Sequence, residues 1–164
     1  MSRLDSVIDR LMAQRACLDA AAAAVSSVPG PVLELGLGNG RTYDHLRARL
    51  PGRRIFVFER QVNAHPDCIP PDEDLFLGDF MDHLPEAMLR IGEPAALVHA
   101  DIGTGDKQAS MALAATIGSA VVDLMASGGL LLADQPFGDR RLAPAALPDG
   151  VKPGRYHMFR KTDA

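Results

Sequence analysis

A chain of 164 residues, 47% hydrophobic and 23% charged, is sized for a single globular domain that closes one sizeable core. Its net charge of −4 leaves no electrostatic footprint for nucleic acid or an anionic membrane, and both are excluded as expected partners. Arg41, Arg47, Arg49, Arg53, Arg54 and Arg60 form a local basic cluster, but no aromatic side chains are interleaved for base stacking, so it reads as a solvated helix face.

Residues 3–27 make the first predicted element. Leu4, Val7, Ile8, Leu11 and Leu18 recur at helical spacing while Arg3, Asp5, Asp9, Arg10 and Arg15 lie largely elsewhere, the pattern of an amphipathic helix. Charges ahead of any apolar run, and Asp19 within the alanine tract, argue against a signal peptide or a spanning segment. Cys17 and Cys68 stand far apart without zinc-ligand spacing, so both read as reduced thiols and the expected location is cytoplasmic. Pro29, Gly30 and Pro31 stop the helix.

Short β-rich runs then alternate with helical stretches. "PVLELG" precedes the helical "RTYDHLRARL", and "RIFVFE" leads through the proline-rich "HPDCIPPDED" to "LFLGD". After the helical "FMDHLPEAMLRI" come the strand "AALVHADI", the long helix "KQASMALAATIGSAVVDLMA" and the strand "GLLLAD". Such alternation predicts an α/β fold, a three-layer Rossmann-like sandwich around a mostly parallel sheet. Pro136 to Gly154 reads as an irregular loop, and "YHMFRK" as one last, antiparallel strand. The domain is thus divided into a helical segment 1–28, a core 30–135 and a closing segment 136–164.

Nearly continuous apolar strands that end in acids are the mark of central parallel strands whose carboxyl ends open on a ligand crevice. Glu59, Asp79, Asp101 and Asp134 stand at those ends. Gly36, Gly38 and Gly40 follow the first strand, where glycine lets backbone come close to a ligand. A dinucleotide fingerprint would need its third glycine where Arg41 stands, which counts against a nucleotide-linked oxidoreductase. Glu34, two residues before the loop, would repel a pyrophosphate and suits a cationic ligand instead.

The stretch "LELGLGNG" resembles the first motif of the class I S-adenosylmethionine-dependent methyltransferases, and the resemblance continues over roughly residues 30–135. It implies S-adenosylmethionine as cofactor, with Glu34 helping to hold the methionyl ammonium over Gly36, Gly38 and Gly40. Glu59 would meet the ribose hydroxyls. Asp79 of "LGDF" would meet the adenine amino group, with Phe80 or Met81 flanking the ring, and "HADIGTG" from His99 to Gly105 is similar to the fourth motif. Asp101 is the catalytic candidate and is counted among the cofactor-binding residues too, and the implied reaction is methyl transfer to an oxygen or nitrogen of a small-molecule acceptor. Asp101 and Asp134 also resemble the metal carboxylates of catechol-type O-methyltransferases, but Gln135 replaces the Asn of that pattern and only two carboxylates are in view. No divalent metal is therefore expected.

Each residue also has a plainer reading. Glu34 could be a strand residue paired with an arginine, Glu59 and Asp79 helix caps, and Asp101 and Asp134 turn residues. His99 and His157 read as core histidines, Lys107 as the solvated start of a helix, and Arg140, Arg141 and Arg155 as solvated unless they bind an anionic group of the acceptor. Only about thirty residues follow Asp134, so the long helix that the family carries there reads as absent or shrunken and the sheet as trimmed at that edge, and an exposed sheet edge invites a homo-oligomer. The shortened substrate region keeps a second function open, a non-catalytic S-adenosylmethionine-binding or interaction subunit with the same fold.

Overall fold

Strands that are apolar on both faces must lie between two layers. In the structure, a computed structural model that describes residues 1–163, every residue of β1 (Val32–Leu35) and of β4 (Ala95–Ala100) is buried. Ala164, the end of the 136–164 segment, lies outside the described residues. These two strands pair in parallel at the centre of a seven-stranded sheet. With β2 (Ile55–Glu59), β3 (Leu75–Leu77), β5 (Met125–Ala133), β6 (Leu142–Pro144) and β7 (His157–Lys161), the order is β3-β2-β1-β4-β5-β7-β6. The first five strands run parallel, whereas β7 is antiparallel to both β5 and β6.

Strand parity sorts the core into two layers. Leu33, Leu35, Phe56, Phe58 and Val98 share one layer with Ile117 and Val121 of α5 (Lys107–Asp123). Val32, Val57, Leu97 and Leu132 share the other with Cys17, Leu18 and Ala21 of α1 (Arg3–Ala24) and with Tyr43 and Leu46 of α2 (Arg41–Arg49). Burial pushes the Cys17 thiol up to about 11, which keeps it an unreactive apolar filler.

Several boundaries differ from the sequence pattern for local reasons. The stretch read as one helix from Phe80 breaks at Pro85, which has no N–H to donate, into α3 (Phe80–His83), a 3-10 turn (Leu84–Glu86) and α4 (Ala87–Ile91). In the first two turns of α1, Leu4 and Val7 of the apolar stripe stay exposed. The basic cluster is not one solvated face: Arg53 donates to the carbonyls of Val25, Val28 and Gly30 and closes the end of α1, while Arg54 pairs with Asp74.

The expected trimming of the sheet is corrected. Two strands, not one, follow the loop after β5, whereas the helix before them is absent as expected. The loop reads as irregular because β6 is only three residues long and ends in Pro144, a residue tolerated at a sheet edge where no ladder donor is needed. Arg141 is tied to Asp139 and Asp123 beside that strand, and so is not free for a ligand. No described helix is long and apolar enough to cross a membrane.

Candidate active site

The site lies over the carboxyl ends of β1 to β4. Gly36 leaves β1 with φ of 87°, and a Cβ there would collide with the carbonyl of Asp101, so the loop can pass against the end of β4 only as glycine. Gly38 is different: its φ is 53° and a Cβ would meet nothing within 4 Å, so this part of the loop faces open space. Gly40 begins α2 packed against Cys68.

Glu59, at the end of β2, reaches back to this loop. Its Oε2 accepts from the amides of Leu37 at 2.7 Å and Gly38 at 3.1 Å, and its Oε1 accepts from the amide of Arg60 at 2.7 Å. It is not the cap of a following helix. Asp79 does cap a helix, accepting from the Met81 amide at 3.1 Å at the start of α3. That bond, with Arg60 at 2.9 Å, holds its carboxyl below the usual carboxylate range.

A crevice of about 380 Å³ is lined by Gly36, Gly38, Glu59, Asp79, Phe80 and Asp101, so six of the predicted residues are brought together. A second chamber of about 250 Å³ adjoins it through Gly36, Gly38, Asp101 and Gly103, with Arg10, Leu11, Gln14, Arg41 and Thr42 as its other walls. Asp101 stands at the junction of the two. Its Oδ2 accepts from Nε2 of Gln14 at 3.0 Å.

Glu34 does not line either chamber. Strand parity turns it beneath the glycine loop, and the parallel register sets it directly beside His99. Both side chains are fully buried. Glu34 Oε2 meets His99 Nδ1 at 2.8 Å, and Oε1 accepts from the Thr42 hydroxyl. No arginine is its partner. Burial pulls the proton affinity of His99 down, but the charge and hydrogen bond of Glu34 outweigh it and leave the imidazole above the ordinary histidine range. His99 Nε2 bonds the hydroxyl of Tyr156, and Gln14 Nε2 also reaches that hydroxyl at 3.3 Å. Burial, then the nearby Asp101 charge, drive the Tyr156 phenol well above its usual value, so it stays protonated. One hydrogen-bonded chain thus runs Thr42, Glu34, His99, Tyr156, Gln14, Asp101.

Asp134 has a structural duty. Its two oxygens accept from the amides of Ile102 at 3.1 Å and Gly103 at 2.8 Å, which shapes the loop after β4. A Cβ at position 103 would strike the same carboxylate. With Asp134 turned to backbone, Asp101 has no carboxylate companion, and no group of three or more His, Cys, Asp or Glu side chains among the described residues could hold a metal ion. The catechol-type metal arrangement does not fit these residues.

S-adenosylmethionine fits them better. Open space over Gly38, an acid at the end of β2 and the Asp79–Phe80 pair on the facing wall match a nucleoside with a charged amino-acid tail. Gln14, Thr42 and Tyr156 were not candidates in the sequence. The one local sign for Gln14 is a polar residue at helical spacing between Leu11 and Leu18 on the apolar stripe; Tyr156 carries none, since its partners lie far away in the chain.

Comparison with known proteins agrees with the geometry. A family model described as S-adenosyl-L-methionine methyltransferase matches residues 1–161. The crystal structure of an S-adenosyl-L-methionine methyl transferase from Silicibacter pomeroyi DSS-3 is 44% identical, covers 98% of this chain and 99% of that one, and superposes with a TM-score of 0.93. More distant structures share the fold alone. Cofactor-bound Rv0187 from MTB is 14% identical over 98% of this chain and 91% of that one, with a TM-score of 0.58. The apo structure of CalS11, a TDP-rhamnose 3'-O-methyltransferase of calicheamicin biosynthesis, is 19% identical over 91% and 79%, with a TM-score of 0.61. No curated protein matches. A match that runs from the first residue into β7, on a sheet whose glycine loop and strand-end acids line one crevice, means that the chain belongs to the S-adenosyl-L-methionine methyltransferase family, with S-adenosylmethionine as its cofactor.

Proposed function

We propose that this chain transfers a methyl group to an oxygen or nitrogen of a small-molecule acceptor, with Asp101 as the catalytic residue. The observation that carries the reading is the position of Asp101 between two chambers, one suited to the cofactor and one walled by α1 and α2. When bound, the cofactor supplies an electrophilic methyl on a sulfonium. Catalysis is then mainly the holding of a nucleophile in line with that carbon. Asp101 has one oxygen held by Gln14, which leaves Oδ1 to take a hydrogen bond, and then the proton, from the acceptor.

In the same reading Glu59 holds the ribose hydroxyls, Asp79 and Phe80 bracket the adenine, and Gly36 and Gly38 form the floor under the amino-acid tail, while Gly40, which lines neither chamber, shapes the start of α2 behind them. Glu34 acts from beneath, by fixing Thr42 and His99. Glu59→Gln is expected to weaken binding of S-adenosylhomocysteine by about 1–3 kcal/mol, the weight of hydrogen bonds to a charged group. Calorimetry reads this directly, and an unchanged affinity would remove Glu59 from the site.

The function itself is tested by release of S-adenosylhomocysteine over a library of hydroxyl and amine acceptors. The expected result is turnover with at least one acceptor, reduced by about 100-fold or more in Asp101→Asn while cofactor affinity is kept. Cofactor binding without transfer to any acceptor would assign the chain instead to a non-catalytic subunit. A cytoplasmic homo-oligomer belongs to the same proposal, supported by two free thiols and by the exposed apolar start of α1, where Leu4 is 68% exposed. Sedimentation of the purified chain as a monomer at all concentrations would reject the assembly.

A further inference from the structure

Beyond the chamber beside Asp101, the space between α1 and α2 continues as a groove of about 320 Å³. Its walls are mostly apolar, made by Ile8, Leu11, Met12 and Leu18 of α1, and Arg15, Arg41 and His45 line it as well. Leu11, Gln14, Arg41 and Thr42 line both spaces, so the groove opens directly into the chamber. Ile8 and Met12 remain 45% and 56% exposed. Resting on the methyl-transfer reading, we propose that the groove receives the body of the acceptor, and that the acceptor is a hydroxy- or amino-bearing organic anion with an apolar middle.

Charge supports the anion. Arg10, Arg15 and Arg41 flank the passage, and none of them forms an ion pair among the described residues. The other arginines of the basic cluster are engaged: Arg47 with Asp44, Arg49 with Asp19, Arg54 with Asp74 and Arg60 with Asp79, while Arg53 is spent on backbone carbonyls. In a chain of net charge −4, three uncommitted guanidinium groups around one apolar groove are a concentrated positive field. Arg41 donates to the neutral amide of Asn39, at 2.8 Å once that amide is turned to satisfy both groups. Asp101 lines the chamber and not the groove, Arg15 lines the groove and not the chamber, and Arg10 and Arg41 share the chamber with Asp101. A molecule with its anionic head on Arg15 in the groove brings its protonated nucleophile to Asp101 in the chamber.

Gln14 fixes what the nucleophilic end must be. Both N–H groups of its side chain are used, one on Asp101 and one on Tyr156, so the polar atom left to face the passage is its carbonyl oxygen. Together with the free oxygen of Asp101 it offers only acceptors. The incoming group must therefore bring hydrogen, as a hydroxyl or an amine does and a thioether does not. Guanidinium forks receive carboxylate and phosphate alike, so either head is compatible.

Fluorescence titration of the S-adenosylhomocysteine-loaded protein with matched naphthalene probes tests this. Hydroxynaphthoate is expected to bind saturably and more tightly than the neutral hydroxynaphthamide by about ten-fold, the usual worth of one charge-assisted contact. Arg41→Gln and Arg15→Gln, both at exposed positions, should each erode that preference and leave the amide unaffected, whereas Met12→Asp should weaken both probes. Naphthyl phosphate forms the third arm; either anion ahead of the amide supports the proposal, and the order of the two names the head group. Equal affinity for acid and amide, no saturable binding of either anion, or a preference that survives both arginine substitutions would overturn it. Failure of S-adenosylhomocysteine itself to bind, read separately by calorimetry, would strike the methyl-transfer reading rather than the groove.

Discussion

Replacing Glu34 by glutamine is expected to lower the unfolding free energy by about 3–5 kcal/mol, the loss seen when one partner of a buried ion pair is removed. Glu34 and His99 are both fully buried, and no other carboxylate bonds the imidazole. Without the Glu34 charge the cost of burying the ring charge is uncompensated, and the one oxygen left on glutamine cannot serve both Thr42 and the imidazole N–H. The effect carries a pH signature. His99 is raised above the ordinary histidine value of 6.5 in the folded chain, so the pair contributes fully below that value and the contribution is lost as pH rises through the folded one. The deficit of Glu34→Gln should therefore be largest in mild acid and shrink toward alkaline pH. Urea unfolding of both proteins across that range measures it, and a small, pH-independent deficit would mean that the pair is not the anchor of this layer.

Gly38→Val should abolish cofactor binding while the chain stays folded. A Cβ at this position meets nothing within 4 Å, so the substitution costs only the strain of a positive φ, about 1–2 kcal/mol. The branched side chain then occupies the open space above the loop. Gly36→Ala makes the contrast, since its Cβ runs into the Asp101 carbonyl and the loss should appear in thermal stability. Calorimetry with S-adenosylhomocysteine and a melting curve for each variant separate the two. Wild-type affinity in a folded Gly38→Val protein would show that the ligand does not lie over this loop.

How far the chain can be read without coordinates depends on the range of the interaction. Continuous apolar runs, glycine and proline punctuation and helical periodicity are local, and they suffice for the alternation of strands and helices and for a parallel sheet. They also suffice for the crevice residues Gly36, Gly38, Glu59, Asp79 and Asp101, because parallel strands always deliver their carboxyl ends to one side, whereas Phe80 follows only from the family resemblance. Parity could have gone further with Glu34: it shares a face with Val32, under α1 and α2, and so points away from the loop's open side.

Other features have no local cause. Gln14 meets Tyr156 across 142 positions of sequence and Asp101 across 87, and a bond of that separation exists only after the sheet has brought both ends of the chain to the same layer. The same holds for Asp134, whose carboxylate looks like a metal ligand until the loop after β4 folds back and presents two amides that must be satisfied. The edge strand β6 is too short and too proline-bound to form by propensity, and it takes its conformation from pairing with β7. Residue pattern thus determines which elements arise and which strand ends face the ligand. Packing decides which polar atoms remain free to do chemistry, because a buried hydrogen-bonding group takes whatever partner the assembled layers bring within reach.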